Sequence, residues 1–117
     1  MKSTLYLGMK KKNNDYVSKE ALNRFLAEYV KPLFEGYTLT FGEGWYKEKS
    51  EPVALLTIIY PNRPFLGESQ DSNRVRGICA RWCQYSDQNS VLWEKQGYDY
   101  HLVYLVYPNG NGEQISP

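Results

Sequence analysis

The sequence predicts an α+β sandwich, an antiparallel sheet with two helices on one face. Three observations predict it. Segments at 3–10, 37–41, 53–60 and 98–107 alternate with the two-residue period of a strand, or are apolar throughout. Segments at 18–34 and 72–85 instead repeat apolar residues at helical spacing. Glycine and proline punctuate the gaps, as at Gly42, Gly44, Pro61 and Pro64.

The elements follow in order. Residues 3–10 form a first strand, with Leu5, Leu7 and Met9 on one face and Thr4, Tyr6 and Gly8 on the other. Lys10-Lys11-Lys12-Asn13-Asn14-Asp15 is a polar loop. Its lysine run reads as a solvated turn rather than a phosphate site. Ser18 is placed to cap a helix through about residue 34, accepting from a free amide of the first turn. Val17 and Leu22 are spaced for a hydrophobic staple around that cap. Leu22, Phe25, Leu26, Tyr29, Val30 and Leu33 make the helix's apolar stripe. Pro32 disturbs its last turn, and Gly36 fits a C-terminal cap.

Tyr37, Leu39 and Phe41 then alternate inward along a second strand. Trp45 to Lys49 continue as an edge or hairpin arm, with the turn at Glu51-Pro52. Val53 to Tyr60 is apolar on both faces, the pattern of a covered strand. A second helix runs from about Ser72 to Tyr85, capped by Asp71 or Ser72, and buries Val75, Ile78, Cys79 and Trp82. Gly77 costs this helix about 1 kcal/mol relative to alanine, which close packing would explain. Ser90 to Lys95 is a short extra strand, and Tyr98 to Tyr107 is a long last strand, apolar or aromatic on both faces. The order is β-α-β-β-α-β with that short strand or hairpin arm added, a ferredoxin-like α+β sandwich. Residues 1–107 read as one such domain and 108–117 as a loose polar tail.

Composition narrows the function. The chain has 117 residues, 42% hydrophobic and 23% charged, which suits one globular domain. A net charge of +1 gives no field that gathers a nucleic acid polymer. No apolar run approaches the roughly 20 residues of a membrane helix. The first residues enter a strand pattern without a signal-peptide profile, so a cytoplasmic protein is expected. The single histidine excludes a His-rich zinc site within one chain. Cys79 and Cys83, four apart on one helical face, read as small buried hydrophobes. No cofactor and no metal are expected. The chain carries no phosphate-binding glycine loop, nucleophile elbow or metalloprotease helix.

The aromatic surplus is the informative feature: eleven tyrosines stand beside three tryptophans and four phenylalanines. Helices cover one sheet face only, yet two strands carry apolar groups on both. The open face therefore needs a cover, a second subunit first, otherwise a ligand or the 42–49 arm. Tyr6, Tyr60, Tyr98, Tyr100 and Tyr104 are expected on strands, several of them on that face. The candidate ligand-binding residues are Tyr6, Tyr100, Tyr104 and Trp93 on the sheet, Trp45 and Tyr46 on the arm, and His101. Arg63 and Arg74 join them, because guanidinium forks match phosphate and carboxylate. Each has a plainer alternative: a hairpin packing on the sheet, a structural or interface histidine, or arginines pairing with Glu68 and Asp71.

Several short stretches carry a resemblance. They are Leu7-Gly8, Val17-Ser18, Val30-Lys31-Pro32-Leu33-Phe34, Gly36-Tyr37-Thr38, Gly44-Trp45 with Glu51, and Gln88-Asn89-Ser90-Val91-Leu92. By them the chain resembles an uncharacterised bacterial family of small ferredoxin-like domains, known as a domain of unknown function. More distantly it is similar to the dimeric α/β-barrel group. The resemblance implies the fold and transfers no catalytic residue.

Three expectations follow for function. The first is a non-catalytic, oligomeric binding protein for a planar, anionic, nucleotide-like ligand. A phage-type sponge for a signalling nucleotide, with a role in viral anti-defence, is one version. The second is a cofactor-independent enzyme using His101 or a tyrosine as acid or base. The third is a protein–protein module with an aromatic face.

Overall fold

A computed structural model describes residues 1–61 and 67–115, apart from the side chains of Tyr46 and residues 67–69. The chain runs β1 (Lys2–Gly8), α1 (Lys19–Tyr29), β2 (Thr38–Tyr46), β3 (Lys49–Ile59), α2 (Gly67–Ser86), β4 (Val91–Gln96), β5 (His101–Val106) and β6 (Gly112–Gln114). The strands form one sheet in the order β2-β3-β1-β4-β5-β6. Every pairing in it is antiparallel. The order β2-β3-β1-β4 with two crossover helices is compatible with the ferredoxin-like plan, which β5 and β6 then extend.

Both helices bury their stripes on the same sheet face. Leu5, Leu7, Leu56, Ile58 and Trp93 from the sheet meet Leu22, Phe25, Ile78 and Trp82 from the helices, all essentially inaccessible. Phe25 meets Trp82 edge-on, with ring centroids 4.9 Å apart. Polar groups on this face pair with each other. Trp93 Nε1 donates to Ser3 Oγ at 2.9 Å, and that oxygen lies 2.8 Å from the Tyr60 hydroxyl. Trp82 Nε1 donates to the Gly8 carbonyl at 3.1 Å. Cys79 and Cys83 are buried free thiols; burial pushes Cys83 up to about 11 and Cys79 higher still.

The first helix starts as its residues dictate. Ser18 accepts from the Ala21 amide at 3.0 Å, and Val17 and Leu22 are both buried. It ends sooner than expected. The Lys31 amide reaches back to the Leu26 carbonyl, and Pro32 has no amide to continue with. Gly36 is therefore no helix cap, since the helix stops at Tyr29. The second helix starts earlier than expected, at Gly67, which places Asp71 and Ser72 inside it. Gly77 is not explained by close packing, because an added Cβ would meet nothing within 4 Å.

The hairpin between β2 and β3 turns at Lys47 and Glu48, not at Glu51-Pro52. Both residues take positive φ, 51° and 64°. A two-residue hairpin needs that conformation, and here it is reached without the usual Asn-Gly. Two further corrections concern the last strands. The segment expected to be an added strand, β4, is the one that pairs with β1. The long strand expected at 98–107 is the shorter β5 outside it. The polar segment after residue 107 is not loose throughout, since β6 pairs with β5 at Tyr104, Leu105 and Val106. No described helix is long and apolar enough to cross a membrane.

Candidate functional site

Strand alternation builds the open face opposite the helices. Register places Tyr6 beside Leu55 on one side and Leu92 on the other, with Leu105 next in line. One step along, Thr4, Glu94 and Val103 lie in a row, and Lys2, Gln96 and His101 form the next. The face is thus apolar towards the β2–β3 hairpin and polar towards the β4–β5 turn.

Three side chains meet on it. Tyr6 donates its hydroxyl proton to Glu94 Oε1, and His101 Nε2 lies 2.9 Å from Glu94 Oε2. The bond from Tyr6 is the main cause that holds Glu94 below the usual carboxylate range. His101 and Lys2 reinforce it, and partial burial opposes it. The same bond, with burial and the carboxylate's charge, pushes the Tyr6 phenol up to about 12. The cluster is thus an ionised carboxylate held by two donors at the middle of a sheet face.

Towards the hairpin lies a recess of about 420 Å³. Tyr6, Leu92 and Leu105 give it an apolar floor; Trp45, Lys49 and Glu51 wall it from the hairpin. Trp45 is 70% exposed, a large ring mostly open to solvent. Gln88 closes another side. Its amide donates to the Lys10 carbonyl, and its carboxamide lies where a Cβ on Gly8 would sit, 2.6 Å away. A side chain at position 8 would displace the flexible end of Gln88.

Of the residues singled out in the sequence, Tyr6 and His101 lie on this face and share Glu94, while Trp45 borders the recess at the hairpin end, with the strand parity of Leu39 and Phe41. The others lie elsewhere. Trp93 is 1% exposed in the core, because β4 alternates opposite to that expectation. Tyr104 stacks on Trp93 at 5.0 Å, on the helix side. Tyr60 is buried there too, and Tyr98 stands 97% exposed beyond the end of β4. Tyr100 sits in the β4–β5 turn, its ring where a Cβ on Gly97 would fall. Arg74 pairs with Asp71 at 3.2 Å on α2. Arg63 and the Tyr46 side chain lie outside the described residues. Glu94 was missed altogether. Its signal was its position in β4, where alternation with Trp93 puts it on the open face. No group of three or more His, Cys, Asp or Glu residues that suits a metal ion occurs among the described residues.

The comparisons bear on the fold and the family. A family model described as "Protein of unknown function (DUF3574)" matches residues 2–101. No curated protein matches the chain. Among solved structures, a phage SAM lyase in complex with S-methyl-5'-thioadenosine has a similar fold. Its TM-score is 0.72 at 16% identity, covering 91% of this chain and 88% of that one. A phage SAM lyase in its apo state superposes with a TM-score of 0.70, also at 16% identity, covering 91% and 87%.

Proposed function

The chain belongs to the DUF3574 family, and within it we propose a small-molecule-binding protein whose ligand carries a nucleoside and a positive centre. The recess beside Trp45 carries this reading. Its volume of about 420 Å³ lies in the range of small-ligand sites, and its floor is apolar. Trp45 at the hairpin end of the recess is 70% exposed and offers an indole to a planar base, a contact worth about 1–3 kcal/mol per base. Glu94, ionised and next to the recess through Tyr6, favours a cation there. S-Adenosylmethionine has both features, an adenine and a sulfonium. The shared fold with a phage SAM lyase that binds S-methyl-5'-thioadenosine supports that ligand class. The expected planar anionic ligand thus becomes one with a cationic centre. Binding without turnover would make the protein a sponge for this ligand. The proposal includes a cytoplasmic homo-oligomer, which light scattering tests.

A second reading, catalysis, is favoured by one observation. Glu94 lies 2.9 Å from His101 Nε2, the arrangement of a base and its orienting carboxylate. In a cleavage to S-methyl-5'-thioadenosine, His101 would take a proton from the carbon next to the breaking C–S bond. The C–H pair would form a double bond, and the C–S pair would leave on sulfur as the neutral thioether.

Titration calorimetry with S-adenosylmethionine, S-methyl-5'-thioadenosine and adenosine tests binding, and chromatography of the mixtures tests turnover. Binding that weakens about tenfold or more in Trp45→Ala is expected. Absence of heat with all three compounds would overturn the assignment. A thioether product formed by wild type and not by His101→Ala would establish the second reading over the first.

A further inference from the structure

A second recess, of about 390 Å³, lies beside the first. The two share Lys49, Glu51, Gln88 and Ser90, so they form one continuous trough. Lys10, Lys11 and Lys12 line only the second part. The loop that presents them is held by its own backbone. The Lys11 amide donates to the Asp15 carbonyl at 2.7 Å, and the Asn14 amide to the Lys11 carbonyl at 3.0 Å. Asn14 takes a φ of 70° to close this turn. The Lys10 carbonyl is tied down by Gln88, which itself lines both recesses.

Charge in this part of the trough is lopsided. Lys12 faces Asp87 at 3.7 Å, which offsets one pair. Lys10, Lys11 and Lys49 then stand against a single carboxylate, Glu51. The chain as a whole carries only +1. A lysine ammonium is a compact point charge that suits carboxylate or phosphate oxygens.

We propose that the lysine end of the trough is a subsite for an anionic group on the ligand held beside Trp45. The group is an α-carboxylate or a phosphate. The proposal rests on the ligand reading above and adds to it a division of labour. The indole takes the planar part, the Glu94 side takes positive charge, and the lysine loop takes negative charge.

The test compares wild type with the double variant Lys10→Ala/Lys11→Ala, neither residue lining the recess beside Trp45. Calorimetry measures neutral S-methyl-5'-thioadenosine, S-adenosylmethionine with its carboxylate, and adenosine 5'-monophosphate with its phosphate. Loss of about three- to tenfold in affinity for an anionic compound is expected, with the neutral thioether unchanged. The loss shrinks as salt rises from about 50 to 300 mM. A loss confined to S-adenosylmethionine assigns a carboxylate, and one confined to the monophosphate assigns a phosphate. Equal losses for all three compounds, or none for any, overturn the subsite. Inorganic pyrophosphate probes the trough without a planar part. If no nucleoside binds, the ligand reading fails. The anion subsite then survives only if pyrophosphate raises the melting temperature of wild type and not of the double variant.

Discussion

The two faces of this sheet are built from the same strands, residue by residue, and they treat polar groups in opposite ways. On the helix side, Ser3 Oγ serves both Trp93 Nε1 and the Tyr60 hydroxyl, and all three residues are buried. On the open side, Tyr6 and His101 both address Glu94, with His101 more than half exposed. The first cluster is neutral and spends its hydrogen bonds inside the protein. The second keeps a charge at the surface, next to a recess. A shared chain thus yields one face that specifies the fold and one that keeps a charged cluster and a recess at its surface.

The largest expected difference between the faces comes from removing an indole from each. Trp93→Ala leaves a cavity in the core and takes a donor from Ser3. A loss of about 3–5 kcal/mol in urea unfolding is expected. Trp45→Ala removes a ring of equal size that is 70% exposed, and stability should hold within about 1 kcal/mol. Comparable losses for the two variants would mean that the hairpin packs on the sheet as a structural cover.

A smaller contrast comes from removing one hydroxyl from each face. Ser3→Ala leaves the buried Trp93 donor without its acceptor and the Tyr60 hydroxyl without its partner. The expected cost is about 1–3 kcal/mol. Tyr6→Phe removes a hydrogen bond that water replaces on an open face, at a cost below about 1 kcal/mol. Chemical denaturation of both variants side by side decides between them. A Tyr6→Phe penalty equal to that of Ser3→Ala would show the open cluster to be structural.

The same difference explains what the sequence made legible. The helix stripes were readable because burial enforces their spacing: Leu22, Phe25, Ile78 and Trp82 all pack where periodicity puts them. The cap at Ser18 was readable because it is local. What failed was non-local. That β4, not the Tyr-rich segment after it, pairs with β1 depends on register between strands far apart in the chain. Facing depends on register as well: Trp93 and Tyr104 pair with each other on the helix side, which leaves Glu94 beside Thr4 on the open face. The Lys47-Glu48 turn was hidden because neither residue advertises a positive φ. Tyr6, Trp45 and His101 were found through residue type, yet the way Tyr6 and His101 share Glu94 on the open face follows only from the sheet order.

The smallest expected effect is the most diagnostic of the open cluster, because it depends on charge alone. Glu94 is held below its ordinary value of 4.5, so its contribution to stability is present above that value. It disappears as pH falls through the lowered folded value, when the carboxylate takes a proton in both states. Tyr6 behaves as the mirror image. Its phenol is raised from 10.0 to about 12, so its contribution is present below about pH 10 and is lost between about 10 and 12. Wild type minus Glu94→Gln stability, followed by urea unfolding from about pH 7 down to 3, should therefore shrink below about pH 4.5. Wild type minus Tyr6→Phe should shrink on the alkaline side. Solvent screening keeps both differences modest, since Glu94 is about one-third exposed. Ligand should amplify the acid limb. A cation bound beside the carboxylate lowers the Glu94 value further, so the pH at which binding fades marks the protonation of that one group. A difference that stays flat across the acid range, with and without ligand, would remove Glu94 from the site and leave the recess beside Trp45 without its charge partner.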